Sequence, residues 1–180
     1  MLLNAARIPA RTDSDGNLLR LQEQDRSRWH QSMIAQGMFH LAHSAAGEEL
    51  SEYHLQAGIA ACHCAAHDYA ATDWGHILEL YDRLVEFDDS PVAALNRAVA
   101  VAEVQGPQAG IEAVGAIRNL QSLESYYLLH AVLGEFEARL KHSEAAAAHF
   151  RKAMQLAEIK SEQAFLSKRL LACEQGDVGL

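Results

Sequence analysis

Apolar side chains recur at intervals of three and four along most of the chain, the spacing that lines them up on one face of an α-helix. Trp29, Met33, Gly37 (or Gln36), His40 and Leu41 set the first such stripe, with Asp25 in the place of an N-cap and Arg28 three residues on. A second helix is predicted from about Leu50 to His67, where Tyr53, Gln56, Ala57, Ala60, Ala61 and Cys64 share a face of mostly small residues. Thr72 is placed to cap a third, whose stripe is Trp74, Ile77, Leu78, Tyr81, Leu84 and Val85. Ser90-Pro91 opens a fourth through Leu95, Val99 and Ala102, with proline at the first helical position. Gly106-Pro107 stops that helix and starts another through Ile111, Val114 and Ile117. Ser122 and Ser143 are read as the starts of two more, and Phe165, Leu166 and Leu170 mark a last one.

Ahead of these, Met1–Ala6 resembles the end of a helix without its beginning. Arg7–Gln24 is the longest irregular stretch, with Pro9, the turn-like run Asp13-Ser14-Asp15-Gly16-Asn17 and the pair Leu18-Leu19. Such a loose stretch near a terminus is expected of a docked arm or of a piece of something larger.

The helices are short, paired and joined by tight turns. Unit starts near Gly58, Val92 and Tyr127 lie 34 and 35 residues apart, the tetratricopeptide period. The last unit carries the small and large positions best. Leu133-Gly134 stands in its first helix, and Ala146, Phe150 and Ala153 give small, aromatic and small positions in its second. The middle unit is degenerate, with Gly115 at the aromatic position. The earlier unit has Tyr81 there, but Ile77 and Leu84 where small residues usually sit. The predicted fold is all-α: a tetratricopeptide-like array of helical hairpins, a right-handed α-solenoid, over 25–180, preceded by an arm over 1–24. A plain helical bundle is the rival.

Composition agrees with a helical domain. Of 180 residues, 49% are hydrophobic and only 7% aromatic, with 3 prolines and 11 glycines, too few for a turn-rich β fold. No run approaches a membrane span, and the first residues lack the pattern of a signal peptide. The net charge of −9 argues against direct nucleic-acid binding by this chain, because phosphate contacts need a basic face. Cys62, Cys64 and Cys173 form no disulfide framework and point to a reducing, cytoplasmic setting.

Candidate chemistry is sparse. Cys62-His63-Cys64-Ala-Ala-His67 invites a metal reading, since His63 and His67 are four apart on a helix. The two cysteines would point opposite ways, and the bland alternative is small packing cysteines beside partly exposed histidines. The other histidines are scattered. Carboxylate pairs such as Glu48-Glu49 and Asp88-Asp89 fall at helix ends, where solvation explains them. No nucleophile elbow, phosphate-binding glycine loop or His-Glu-x-x-His occurs, so neither an enzyme nor a cofactor or metal is expected. In the repeat register Asn96 faces a concave groove, where its amide can bond a partner's backbone or tie neighbouring helices. Tyr53, Gln56, His63, Asn96, Arg97 and His130 are the groove candidates, and Asp25, Arg26 and Trp29 the candidates for docking the arm. Asp73-Trp74 reads as a cap and a packing residue.

Several of these runs resemble a known family. Arg11-Thr-Asp, Gly16, Leu21-Gln-Glu-Gln24-Asp25-Arg26-Ser-Arg-Trp29 is similar to the segment joining the sigma regions to the tail in extracytoplasmic-function sigma factors with a C-terminal tetratricopeptide domain. So are Tyr53-His-Leu-Gln56-Ala57 with Ile59-Ala-Ala-Cys62-His63, and Asp73-Trp74, Ile77 and Leu80-Tyr81-Asp82. Ser90-Pro91-Val, Leu95-Asn96-Arg97-Ala98-Val99-Ala100, Gly106-Pro107 and Tyr127-Leu-Leu-His130-Ala131 continue the likeness in order. Cys64 and Gly58 depart from it locally. The resemblance implies a regulatory, protein-binding tail of a bacterial RNA polymerase sigma factor. It would contact the sigma head, the polymerase core or a regulatory protein, and no membrane. The promoter-reading regions are missing from this chain, as expected of a C-terminal fragment or a product separated from its head. The alternative is a freestanding tetratricopeptide adaptor for peptide segments of partner proteins.

Overall fold

A computed structural model describes residues 1–44, 50–87 and 89–175. Among them the secondary structure is helical throughout, apart from one isolated bridge between Thr12 and Leu18. The chain divides into two compact units, Met1–Asp89 and Ser90–Leu180, and each is described by itself. Glu48, Glu49 and Asp88 lie outside the described residues.

The first unit holds α1 (Leu2–Ala5), α2 (Gln31–Ser44), α3 (Glu52–Ala65) and α4 (Trp74–Phe87). The irregular stretch before α2 is not loose. Asp13 Oδ1 accepts from the backbone N–H of Asp15 and Asn17, closing the turn that Gly16 completes at φ +82°. Leu19 N–H donates to Arg11 O at 2.9 Å, and His30 N–H to Ala6 O at 3.0 Å. Leu3, Ala6 and Ala10 are buried with Trp29, Ile34 and Ala60 in one core cluster. These 3–10 turns and small side chains fold the first thirty residues flat against α2 and α3, which is why a segment with no helical period is ordered.

Three predicted helix starts move. Asp25 does cap, but it caps the single 3–10 turn Arg26–Arg28, where Oδ1 accepts from Ser27 N–H at 2.9 Å; α2 begins at Gln31. Burial of Trp29 at 3% exposure turns the chain there before the helix can start. Thr72 is buried and does not cap α4; that role falls to Asp73, whose Oδ1 accepts from His76 N–H at 2.9 Å. Ser122 lies in the 3–10 turn Leu120–Leu123, entered through Asn119 at φ +58°, and the next helix begins at Tyr127.

The second unit is a run of hairpins: α5 (Pro91–Gln105) with α6 (Pro107–Gly115), α7 (Tyr127–Arg139) with α8 (Ser143–Leu156), then α9 (Lys160–Glu174). Ser90 Oγ accepts from Ala93 N–H at 3.4 Å to start α5, and Pro91 fills the first position. Gly106 ends it at φ +96°, and Pro107 restarts the chain as α6. α6 is short, stopping at Gly115, where an added Cβ would meet nothing within 4 Å; no aromatic is packed at that degenerate position.

The α7–α8 turn is closed by Lys141 at φ +63°, with His142 N–H bonded to Glu137 O at 3.0 Å and Lys141 N–H to Ala138 O at 2.9 Å. This is a Schellman closure built on a residue with a Cβ. Lys141→Gly removes that strain, and denaturant unfolding should show stability raised by about 0.5–1 kcal/mol.

Two close approaches set the helix spacing. A Cβ on Gly134 would lie 2.9 Å from the Phe150 ring, so α7 and α8 touch only because position 134 has no side chain. A Cβ on Gly110 would lie 2.6 Å from Ala102 Cβ and 2.8 Å from Phe136. Ala146, Phe150 and Ala153 are all fully buried, so the small–aromatic–small code read from the sequence is the packing of this hairpin.

Candidate functional site

The densest polar arrangement in the first unit is built around Arg26. Its Nη1 donates to His63 O at 2.8 Å and Ala66 O at 2.9 Å, and Nη2 donates to Thr72 Oγ1 at 2.9 Å. Thr72 in turn donates to Asp68 O at 3.1 Å. The two carbonyls belong to the last turn and end of α3, where helix geometry leaves C=O groups without N–H partners. A guanidinium fork answers two of them at once and places a cation at the negative end of the helix. Burial pushes the Arg26 pKa down, and Asp68 offsets that in part.

Trp29 packs under this group. The Arg26 guanidinium carbon lies 4.9 Å from the Trp29 ring centroid, and that of Arg7 lies 5.2 Å from it. Cys64 Sγ donates to Leu3 O at 3.6 Å, tying α1 to α3. The first thirty residues are thus held on α3 by the Arg26 fork and the Cys64 thiol, with Trp29 packed beneath the fork.

His63 differs from the other groove candidates on α3. Its ring meets the Trp74 ring edge-on at 5.3 Å, and Tyr69 meets Trp74 at the same distance. Burial, then the nearby charges of Arg7 and Arg26, lower its pKa to about 4. The folded protein therefore resists protonating a residue that titrates near 6.5 when unfolded. The sign follows: this neutral ring contributes its full stability above pH 6.5, and that contribution is lost as pH falls towards 4. Stability measured by urea titration should drop by up to about 1.4 kcal/mol per pH unit across that window. His63→Gln should flatten the drop; an unchanged slope would count against this origin.

Tyr53 and Gln56 are exposed on α3. Tyr53 also borders an open cavity of about 430 Å³ lined by residues of α1, α2 and α3, among them Leu2, Leu3, His40, Leu41 and Ala57. Asp25 is exposed, and its hydrogen bonds to the Ser27 hydroxyl and amide hold its pKa below the usual carboxylate value.

In the second unit Asn96 is exposed on α5 and Arg97 is half-buried. His130 Nε2 lies 3.2 Å from Glu124 O, and its ring stacks on His149 at 6.0 Å. Burial, and then the His130 charge, lower the His149 pKa. The spacing of the groove candidates thus brings Tyr53, Gln56 and His63 onto α3, and Asn96 and Arg97 onto α5.

The cysteine–histidine run does not converge. α3 ends at Ala65, so His67 leaves the helix that carries His63; it is exposed and pairs with Asp68 at 2.9 Å. Among the described residues no three His, Cys, Asp or Glu side chains are placed to hold a metal ion. Nor is any helix among them long and apolar enough to cross a membrane.

The sequence gives no sign of Arg7 or His149, and marks Thr72 only as a cap rather than as a partner of Arg26. Arg7 lies in a stretch without period, and its neighbours Trp29 and Cys64 are distant in sequence, so no local signal marks it. His149 sits in α8 beside Phe150, and only the hairpin pairing brings it to His130.

Residues 1–45 match a family of unknown function, DUF6596. The chain is also similar to an uncharacterized protein of Rhizobium meliloti (strain 1021), 34% identical over 180 residues. That alignment takes in 99% of this chain and 42% of the relative, so the chain spans less than half of the relative's length. No solved structure matches.

Proposed function

We propose that this chain is the protein-binding tail of an RNA polymerase sigma factor of the extracytoplasmic-function type, working in the bacterial cytoplasm. What carries the reading is the sequence resemblance, part of which falls within the stretch 1–45 that matches a family of unknown function. That stretch contains Arg11–Trp29, one of the several segments that carry the sequence resemblance. The net charge of −9 supports a division of labour in which promoter DNA is read elsewhere and this part meets protein.

The proposed scaffold is a tetratricopeptide-like array. In its support, the side-chain contacts that tie successive first helices join residues one repeat apart. Arg139 donates to Glu103 Oε1 and to Ala102 O, 36 and 37 residues away. Tyr127 donates to Glu162 at a separation of 35, and Arg169 to Glu135 at 34. These bonds join α5 to α7 and α7 to α9, the pairing expected of the first helices of stacked repeats. The exposed Tyr53 and Gln56 of the first unit and, separately, the exposed Asn96 of the second are proposed partner contacts.

The test is a titration of the fluorescently labelled 180-residue chain with purified RNA polymerase core and, separately, with the sigma head. Saturable binding at roughly micromolar Kd or tighter is expected with one of them. Absence of binding to both, with capture of unrelated peptides instead, favours the freestanding adaptor.

A further inference from the structure

Arg7 stands apart from the other arginine of its cluster. All the donors Arg26 uses are directed at the carbonyls of His63 and Ala66 and at Thr72. Arg7 has no such partners: its Nε–H is buried, and no acceptor meets it among the described residues. The Trp29 Nε1–H beside it is likewise buried without an acceptor, in a side chain only 3% exposed. Burial lowers the Arg7 pKa most; Arg11 and Arg26 add to the lowering, and Cys64 and Tyr81 act against it, but no carboxylate is among its charged neighbours. Such an arrangement is costly for a folded protein, because a desolvated cation without an anion loses hydration and gains little.

We propose that the Arg7 guanidinium, lying over the Trp29 ring, is the binding site for a single carboxylate supplied by a ligand. The identity of the anion follows from the donors left over. One guanidinium edge matches one carboxylate in a two-point contact, with the buried indole N–H as a further donor nearby. Arg11 also stands close enough to act on Arg7, so inorganic phosphate is the competing anion to run beside the carboxylate. Two sources share this chemistry: a small free acid, and an aspartate or glutamate side chain of a bound protein segment. The site lies on the face where residues 1–30 meet α3, so its occupation would brace that junction.

The probe is sodium acetate, titrated into the full 180-residue chain against sodium chloride at matched ionic strength. The readouts are the Arg7 Nε–H and Trp29 Nε1–H resonances. A saturable shift of both is expected, with a Kd of roughly 10–100 mM for so small a ligand. Arg7→Lys keeps the charge but loses the fork, and should weaken acetate at least about ten-fold. Arg11→Gln should leave it unchanged. A blocked tripeptide with a central glutamate then separates the sources: binding extends the site to side chains of a partner, and its absence restricts the site to free acids. The melting temperature of Arg7→Met separates a ligand site from a packing residue. A Tm equal to or above that of the parent is expected, since an uncompensated cation has been removed. A lowered Tm with no acetate effect would overturn the proposal, as would phosphate binding more tightly than acetate.

Discussion

Arg26→Met will lower the stability of the folded chain by about 3 kcal/mol. The side chain is a near match in length, so the loss does not come from an empty space. It comes from three acceptors left behind: the carbonyls of His63 and Ala66 and the hydroxyl of Thr72, all of which Arg26 meets at 2.8–2.9 Å. Each buried acceptor stripped of its donor costs about 1–3 kcal/mol, and part of that returns when a buried cation is removed. Thr72→Val removes only one of the three contacts and should cost about 1 kcal/mol. Arg26→Lys keeps the charge at the end of α3 but cannot span the same acceptors, so it should fall between the two. Both tryptophans, Trp29 and Trp74, lie in the first unit, so indole fluorescence during urea unfolding reports on the region concerned. An Arg26→Met protein as stable as the parent would mean that the fork is incidental to the docking of the first thirty residues.

Phe150→Ala is expected to be the most damaging single change in the second unit, costing about 3–5 kcal/mol. The ring is fully buried. It fills the space left by Gly134 on α7, is flanked by Ala146 and Ala153 on its own helix, and lies 5.7 Å from the Arg169 guanidinium of α9. Those neighbours are small or already engaged. Arg169 is committed to both oxygens of Glu135, so nothing on hand can move in to fill the hole. Calorimetry or denaturant unfolding followed by circular dichroism measures the loss. A cost below about 1.5 kcal/mol would be that of a site able to collapse or of a volume-conserving change. It would show that the hairpin is not organised around this ring.

Much of the second unit was legible because its determinants are local. A serine before a proline, a glycine before a proline and a small–aromatic–small pattern each act within a few residues, and each stands where it was read. The failures have equally specific causes. Asp25 and Thr72 have the chemistry of caps, yet the side chain of one serves a single 3–10 turn, and that of the other serves Arg26, 46 residues away. Ser122 also has the chemistry of a helix cap, but Asn119 in the left-handed region and Leu123 in the core hold a turn there instead. A docked arm is one of the two expectations for the stretch before α2, but its contacts are not legible, for a related reason. Leu3, Ala6, Ala10 and Trp29 share no helical period, and what joins them is contact with Ala60 and Ile34. Of the candidate site, Arg26 and Trp29 are named in the sequence as arm-docking candidates, but the carbonyls of His63 and Ala66 that Arg26 meets are not legible there. Arg7 is not among those candidates, because nothing near it in sequence reveals that it lies over Trp29.

The most direct test of the sigma-factor reading is to recover the native protein from its source cell with an antibody raised to this chain, and to determine its size and its companions. The expected result is a polypeptide well above 19.8 kDa, the mass of the present chain, recovered together with RNA polymerase subunits. A polypeptide of 19.8 kDa recovered without polymerase would contradict it and would leave the freestanding adaptor in its place.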